Sequence, residues 1–353
     1  MEHYSNFIGI DLGDKYSQVC VTDGAGVVLR ELSVKTELVA LVGALSAWPG
    51  SRVALETGTH SLWVARGLLA AGHSVVVADS RRVALIHGNM KKCDVVDART
   101  LARLVRVDPE LLSPVHVRSE RTQGHLELLR ARDALVGART GLINHVRGAV
   151  KSFGERLGAC SSEVFARKAG EQLPAALRAA LLPVLELIGT LTAQIKGYDG
   201  KIATVSEEQY PAVELLRSVP GVGPITALGF VLSVESPGRF GRSRQLGAYF
   251  GLVPRRDQSG ERDPQLRITK AGDAFMRRLL VSAAQYILGP FGPDTALRRW
   301  GLAKAAGGKR AKRVAVVAVA RKLAVMLHAM WSNGTLYEAD GPPKLLATAL
   351  EVV

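Results

Sequence analysis

The sequence predicts an α/β protein with a largely helical second half. Three observations carry this: short apolar runs alternate with helical stretches over residues 6–112, apolar residues recur at heptad spacing over the middle, and the positive charge is concentrated near the C-terminus. The expected division is 1–112 as a mixed-sheet domain, 113–208 as a helical coiled-coil region, 209–340 as a basic, mainly helical domain, and 341–353 as a tail.

The first region opens on FIGIDLG (7–13), SQVCVTD (17–23) and VVLRELSV (27–34), which read as three strands, with a turn at Asp23-Gly-Ala-Gly between the last two. A helical stretch follows at 36–47. Next come the strand RVALET (52–57), a helix at 60–71, the strand HSVVVAD (73–79) and further helices. A three-strand meander followed by α/β units is the order of an RNase H-like or an actin-like domain, either of which gives a mixed sheet with helices on its faces.

In the middle region Leu129, Val136, Ile143 and Val150 recur every seven residues, doubled by Leu128, Leu135 and Leu142. A second stripe runs through Leu177, Leu181, Val184, Ile188, Leu191, Ile195, Tyr198, Ile202 and Val205 in steps of four and three, the spacing of a coiled-coil seam. The stretch 154–174 is the expected connection. The pattern fits an intramolecular helical hairpin and a dimer interface equally. The third region contains VPGVGPITALGFV (219–231), in which Gly221 and Gly223 sit between two short helical runs. A glycine turn there resembles a helix-hairpin-helix, in which backbone N–H groups approach a phosphate closely.

Composition narrows the function. The chain has 353 residues, 47% of them hydrophobic and 22% charged, as expected of a globular protein. No apolar run in the sequence approaches the roughly 20 residues of a membrane span, and MEHYSN lacks the layout of a signal peptide. Three scattered cysteines without a CxxC pair disfavour a disulfide framework or a structural zinc, and point to a reducing cytoplasm. The formal charge is +14. Residues 238–322 hold 19 Lys and Arg against 5 Asp and Glu, while the rest is balanced at 27 of each, so the whole excess lies in that segment. Such clustering is the footprint of a phosphate-backbone partner.

Four acids are the candidates for chemistry. Asp11 ends the first strand, Glu56 ends the fourth, and Asp94 and Asp97 share one face if KKCDVVDARTLARLV is helical. Strand-end carboxylates beside two helical ones can gather oxygen ligands for hard cations, Mg²⁺ above all, and two such ions can stabilise both the attacking and leaving oxygens at phosphorus. Taken singly, Asp94 and Asp97 read as a solvated helix face and Glu56 as a capping or loop acid; the ordered set of four is what points to a metal site. Asp11 could also line a nucleotide pocket, but no second copy of the opening motif, no Walker A and no GxGxxG accompanies it. In the basic segment, Ser259 lies in GLVPRRDQSGERDPQLRITKAGDAFMRRLL (251–280), flanked by Arg255, Arg256, Arg262, Arg267 and Lys270, with Arg277 and Arg278 beyond. A serine among cations can attack phosphorus once its proton is removed.

Together these residues resemble the DEDD insertion-sequence transposases of the "one-ten" group, which includes the Piv-type DNA invertases. The resemblance runs through IGIDLG, ALETGTH, KKCDVVDA, PGVGPITA and, most specifically, the Gly-Leu-x-Pro, Ser-Gly, Ile-x-Lys-x-Gly and Arg-Arg-Leu-Leu series of 251–280. It implies a RuvC-like (RNase H-like) domain joined through a coiled coil to a transposase domain. It implies divalent metal (Mg²⁺, or Mn²⁺) on Asp11, Glu56, Asp94 and Asp97, with Ser259 as the nucleophile that links transiently to DNA. Nucleic-acid contacts are expected at Gly221, Gly223, Arg255, Arg256, Arg262, Arg267, Lys270, Arg277 and Arg278. The implied partners are donor and target DNA, a structured guide RNA, and a homodimer that pairs to a tetramer, at the nucleoid of a prokaryotic cell and away from membranes. Family members often follow the serine with two glycines and a lysine; here Gly260, Glu261 and Arg262 follow it. Two other readings are a RuvC-like junction endonuclease using water, and a non-enzymatic nucleic-acid-binding protein.

Overall fold

Alternation of large and small apolar residues along the central strands sets how the first part of the chain is layered. In the computed structural model, which describes residues 4–81, 93–264 and 266–340, the strands are β1 (Asn6–Asp11), β2 (Tyr16–Asp23), β3 (Val28–Lys35), β4 (Arg52–Glu56), β5 (Ser74–Ala78) and the short β6 (Pro114–Val115). They form one sheet in the order β3-β2-β1-β4-β5-β6. The β1–β2, β2–β3 and β5–β6 pairs are antiparallel, whereas β1–β4 and β4–β5 are parallel. Five of the six strands fall where the sequence places them; β6 is too short to carry a pattern.

Side chains alternate across a strand. Ile8, Ile10, Val53 and Leu55 point to one face and join a core with Leu41 and Leu45 of α1 (Leu38–Leu45) and Val64, Ala65 and Leu68 of α2 (Ser61–Ala70). The opposite face carries small residues, Gly9, Cys20 and Ala54, against Ala98, Leu101 and Ala102 of α3 (Asp94–Val107). Glycine is required at position 9: a Cβ there would lie 1.9 Å from the Ala98 carbonyl oxygen and 2.5 Å from the Ala102 nitrogen.

His73, just before β5, is 6% exposed, and its Nδ1 has no partner among the described residues. Burial lowers its pKa, because the charged ring loses water. The folded state therefore resists the proton that the unfolded chain accepts near pH 6.5. The resulting stability is complete above that pH and falls as acidification proceeds toward the depressed folded value, by up to about 1.4 kcal/mol per pH unit. Urea unfolding between pH 7 and 5 should show this slope in the wild type and a flatter one in His73→Phe; equal slopes would contradict it.

The chain divides into two compact units, Met1–Arg121 and Thr122–Val353. In the second, α4 (Glu120–Ser152) and α6 (Ala175–Gln209) form an antiparallel hairpin. Its register follows from paired contacts: Arg132 Nε donates to Asp199 at 2.8 Å, Arg139 Nη1 to Thr192 at 3.3 Å, and Leu129 shares a core with Ile202. Of the seam on α6, Leu177, Leu181, Ile188, Ile195 and Ile202 are buried, while Val184, Leu191, Tyr198 and Val205 are only half-buried. The connection contains α5 (Phe165–Gln172), whose Phe165 and Ala169 pack between the hairpin's arms.

The remaining helices are α7 (Ala212–Arg217), α8 (Pro224–Val234), α9 (Gln245–Tyr249), α10 (Ala274–Leu288), α11 (Ala296–Ala305) and α12 (Lys309–Asn333). They surround a core in which Phe230 and Phe250 are fully buried. The hairpin's open end, through Leu126, Leu129 and Ile202, is part of this core, so the middle region and the basic domain make one unit. Among the described helices, α6 and α12 are long and apolar enough to cross a membrane, which the sequence reading did not anticipate. Both have a packed role: α6 buries its seam on α4, and α12 buries Ala315, Val319, Leu323 and Leu327 in the core. The tail 341–353 lies outside the described residues.

Candidate active site

Parallel register brings the first two acids together. Ile10 stands opposite Leu55, so Asp11 and Glu56, the next residues, leave the sheet on neighbouring strands about 4.8 Å apart. Both line a cleft of about 370 Å³ with Leu12, Asp14, Thr57, Gly58, Thr59 and His60. The loop from β4 to α2 is fixed by Ser61, whose Oγ donates to the Gly58 carbonyl at 2.8 Å.

The direction of α3 puts the other two acids at the same edge. Its C-terminal Arg106 donates to the Gly24 carbonyl at 3.3 Å, and Arg99 pairs with Glu31 at 2.8 Å. Gly24 follows Asp23, the partner of Asn6, so Arg106 lies where β1 begins and the first turn of α3 lies where β1 ends. That turn carries Asp94 and Asp97. Asp97 is buried at 4% exposure and Asp94 is exposed, so the pair is divided between interior and surface. Lys91 and Lys92 of the same motif lie outside the described residues.

Among the described residues no three Asp, Glu, His or Cys side chains lie close enough together to hold an ion on their own. Asp11 and Glu56 nevertheless suit Mg²⁺, which keeps its waters and is held by one or two carboxylates plus substrate phosphates. The donors are hard oxygens, and the cleft has room for a phosphate.

Ser259 occupies the tip of an exposed hairpin arm between α9 and α10. Its strands pair through Arg255 N to Arg267 O at 2.8 Å and Thr269 N to Val253 O at 2.9 Å. At the tip, Ser259 and Arg262 exchange both backbone hydrogen bonds at 3.0 Å, leaving Gly260 and Glu261 as a two-residue turn. Gly260 has φ +56°, whereas Glu261 keeps a negative φ, so the special conformation falls on the glycine that this chain retains. Glu261 therefore sits at the turn without backbone strain. Arg255, Arg256, Arg262, Arg267 and Lys270 are exposed on the arm, with Arg256 facing Asp263 at 3.6 Å.

Of the other expected contacts, Arg277, Arg278 and Gly221 have roles within the fold. Arg277 Nη1 donates to the Phe250 and Ala271 carbonyls at 3.1 and 2.8 Å, bracing the base of the arm. Arg278 pairs with Asp133 at 2.6 Å. Gly221 has φ +85°, and a Cβ there would meet Tyr286 at 2.9 Å, so it lets the α7–α8 turn pack on α10. Gly223 precedes α8 in open space. The sequence reading passed over Asp14 and His60 in the cleft. His60 closes the stretch ALETGTH, but nothing in its spacing singles it out.

Comparison with known proteins defines the class: this is a transposase of an insertion sequence. Residues 8–154 match a DEDD transposase model of the IS110 type, and residues 213–296 match the model described as the transposase IS116/IS110/IS902 family. A probable family 20 transposase of Pseudomonas aeruginosa is 30% identical over 344 residues, covering 94% of this chain and 98% of that protein. The transposase for insertion sequence element IS1111A of Coxiella burnetii is 29% identical, covering 94% and 90%, and that for IS1328 of Yersinia enterocolitica is 28% identical, covering 79% and 82%. The chain belongs to the IS116/IS110/IS902 family of transposases. Membership implies DNA as substrate and a DNA-cleaving and recombining activity, and the DEDD type implies a divalent metal.

Proposed function

We propose that this transposase cuts and rejoins DNA through a covalent Ser259–DNA intermediate, using a divalent-metal site built on Asp11, Glu56, Asp94 and Asp97. The observation that supports the reading is Asp11 and Glu56 at the ends of two neighbouring parallel strands, lining one cleft, in a chain whose first part matches a DEDD transposase model. The strand order, with an antiparallel meander on one side of β1 and parallel β4 and β5 on the other, supports an RNase H-like core.

Asp11 and Glu56 would hold the metal, most simply Mg²⁺ or Mn²⁺, and α3 would bring Asp94 and Asp97 to it. Bound there, the metal supplies charge stabilisation at the phosphorus. Ser259 Oγ attacks phosphorus as one phosphorus–oxygen bond of the strand breaks, so the phosphodiester energy is kept for rejoining. Exposed Arg255, Arg256, Arg262, Arg267 and Lys270 would hold the backbone beside the serine, with the rest of the basic segment as the wider surface. Phosphate contacts confer affinity without sequence choice; a structured guide RNA that base-pairs with donor and target DNA would supply the choice. A dimer pairing to a tetramer would allow the acids of one protomer to work with the serine of another.

Trapping tests the reading. The protein is incubated with element-end DNA, the RNA transcribed beside the gene, and Mg²⁺, then denatured. A covalent protein–DNA adduct is expected from the wild type and none from Ser259→Ala or after chelation. Cleavage by Ser259→Ala without an adduct would instead identify a water-using nuclease, and no cleavage by any form would leave a nucleic-acid-binding protein.

A further inference from the structure

His60 stands at the cleft wall with a neighbour at each ring nitrogen. Trp63 Nε1 donates to His60 Nδ1 at 3.2 Å, and the two rings meet edge to face, 86° apart. An indole N–H can only donate, so Nδ1 accepts and the neutral imidazole carries its proton on Nε2. Nε2 faces the Asp14 carboxylate at 3.5 Å. That carboxylate is 91% exposed, so the contact is weak and readily exchanged.

The remaining lining explains what would replace Asp14. Asp11, Asp14 and Glu56 present acceptors, which repel a phosphate unless a cation intervenes. Thr57 Oγ1 is tied to Ser80, whose backbone N–H it accepts at 3.3 Å and whose Oγ lies 3.1 Å away. An imidazole N–H held in place by Trp63 is thus a directed donor in an acceptor-rich cleft.

We propose that His60 Nε2–H donates to a non-bridging phosphate oxygen of the DNA strand held in the acid cleft, with Asp14 as its resting acceptor and Trp63 as the residue that fixes its tautomer. The inference rests on the reading of this cleft as the DNA-cleavage site. It adds a substrate-contacting histidine and a positioning tryptophan to the four acids and the serine.

The test uses the full-length protein with element-end DNA, the flanking transcript and Mg²⁺, measuring affinity and single-turnover cleavage separately. His60→Phe keeps a ring without the donor and should slow cleavage at saturating DNA by about tenfold to a hundredfold, the range of a hydrogen bond to a charged group. Affinity should hold within about twofold, because the basic surface dominates it. His60→Gln restores a donor at similar reach and should recover most of the rate. Trp63→Phe should turn the single Nε2–H signature in imidazole ¹⁵N spectra into a tautomer mixture and slow cleavage about two- to fivefold. If His60→Phe cleaves at the wild-type rate while Asp11→Asn is inactive, the inference is overturned and the cleavage-site reading stands. If Asp11→Asn itself cleaves normally, that reading falls. Equal losses in His60→Phe and His60→Gln, accompanied by a lowered melting temperature, would make His60 structural and also overturn the inference.

Discussion

Asp11→Asn is expected to lower DNA cleavage by at least about three orders of magnitude, equivalent to about 4 kcal/mol of transition-state stabilisation. The substitution keeps shape and removes charge. Asp11 is the last residue of β1, past the fully buried Ile8 and Ile10, so the core on either face of the sheet does not depend on it. The melting temperature should therefore fall far less than activity does. A loss shared equally between stability and activity would mean that Asp11 serves the fold. Calorimetric titration with Mn²⁺ provides a readout apart from turnover: heat of binding should be present in the wild type and largely absent in Asp11→Asn. Retained cleavage by this variant would sink the metal-site proposal.

Much of the architecture was legible because it depends on local pattern. The strands of the sheet show apolar runs bounded by turn residues, and the helical hairpin shows heptads, so their positions follow from period alone. Period could not decide whether the heptads pair within the chain. That choice lies in polar partners such as Arg132 with Asp199 and Arg139 with Thr192, whose separations of 67 and 53 residues carry no sequence signal. The acids were visible as types at plausible ends of elements, but the unequal exposure of Asp94 and Asp97 depends on how deeply α3 sits on the sheet. Arg277 shows the reverse limit. Beside Arg278 in a basic run it looks like a free cation, yet carbonyls 6 and 27 residues away claim it. His60 was hidden for the same reason, since its tautomer is set by Trp63 and its orientation by the loop that Ser61 closes.

Gly9→Ala is expected to destabilise the first unit by about 3 kcal/mol or more, at the upper end of overpacking substitutions. The added methyl would meet the Ala98 carbonyl oxygen at 1.9 Å and the Ala102 nitrogen at 2.5 Å. These are helix backbone atoms, so no rotamer change can relieve the contact. The helix α3 would have to retreat by roughly 1 Å or more before ordinary contact distances return. Retreat opens the small-residue interface of Cys20, Ala54, Ala98 and Ala102 and withdraws Asp94 and Asp97 from the edge that carries Asp11 and Glu56. The core on the other face, around Ile8, Ile10 and Leu55, needs no change, so the sheet can survive with its acids misplaced. Cleavage should consequently fall further than the fraction of unfolded protein accounts for, as urea unfolding and single-turnover assays on the same preparation would show. Trimming the neighbouring side chain with Ala98→Gly cannot rescue the variant, because the obstruction is the carbonyl oxygen itself. A double variant as stable and active as the wild type would contradict this packing of α3 on β1.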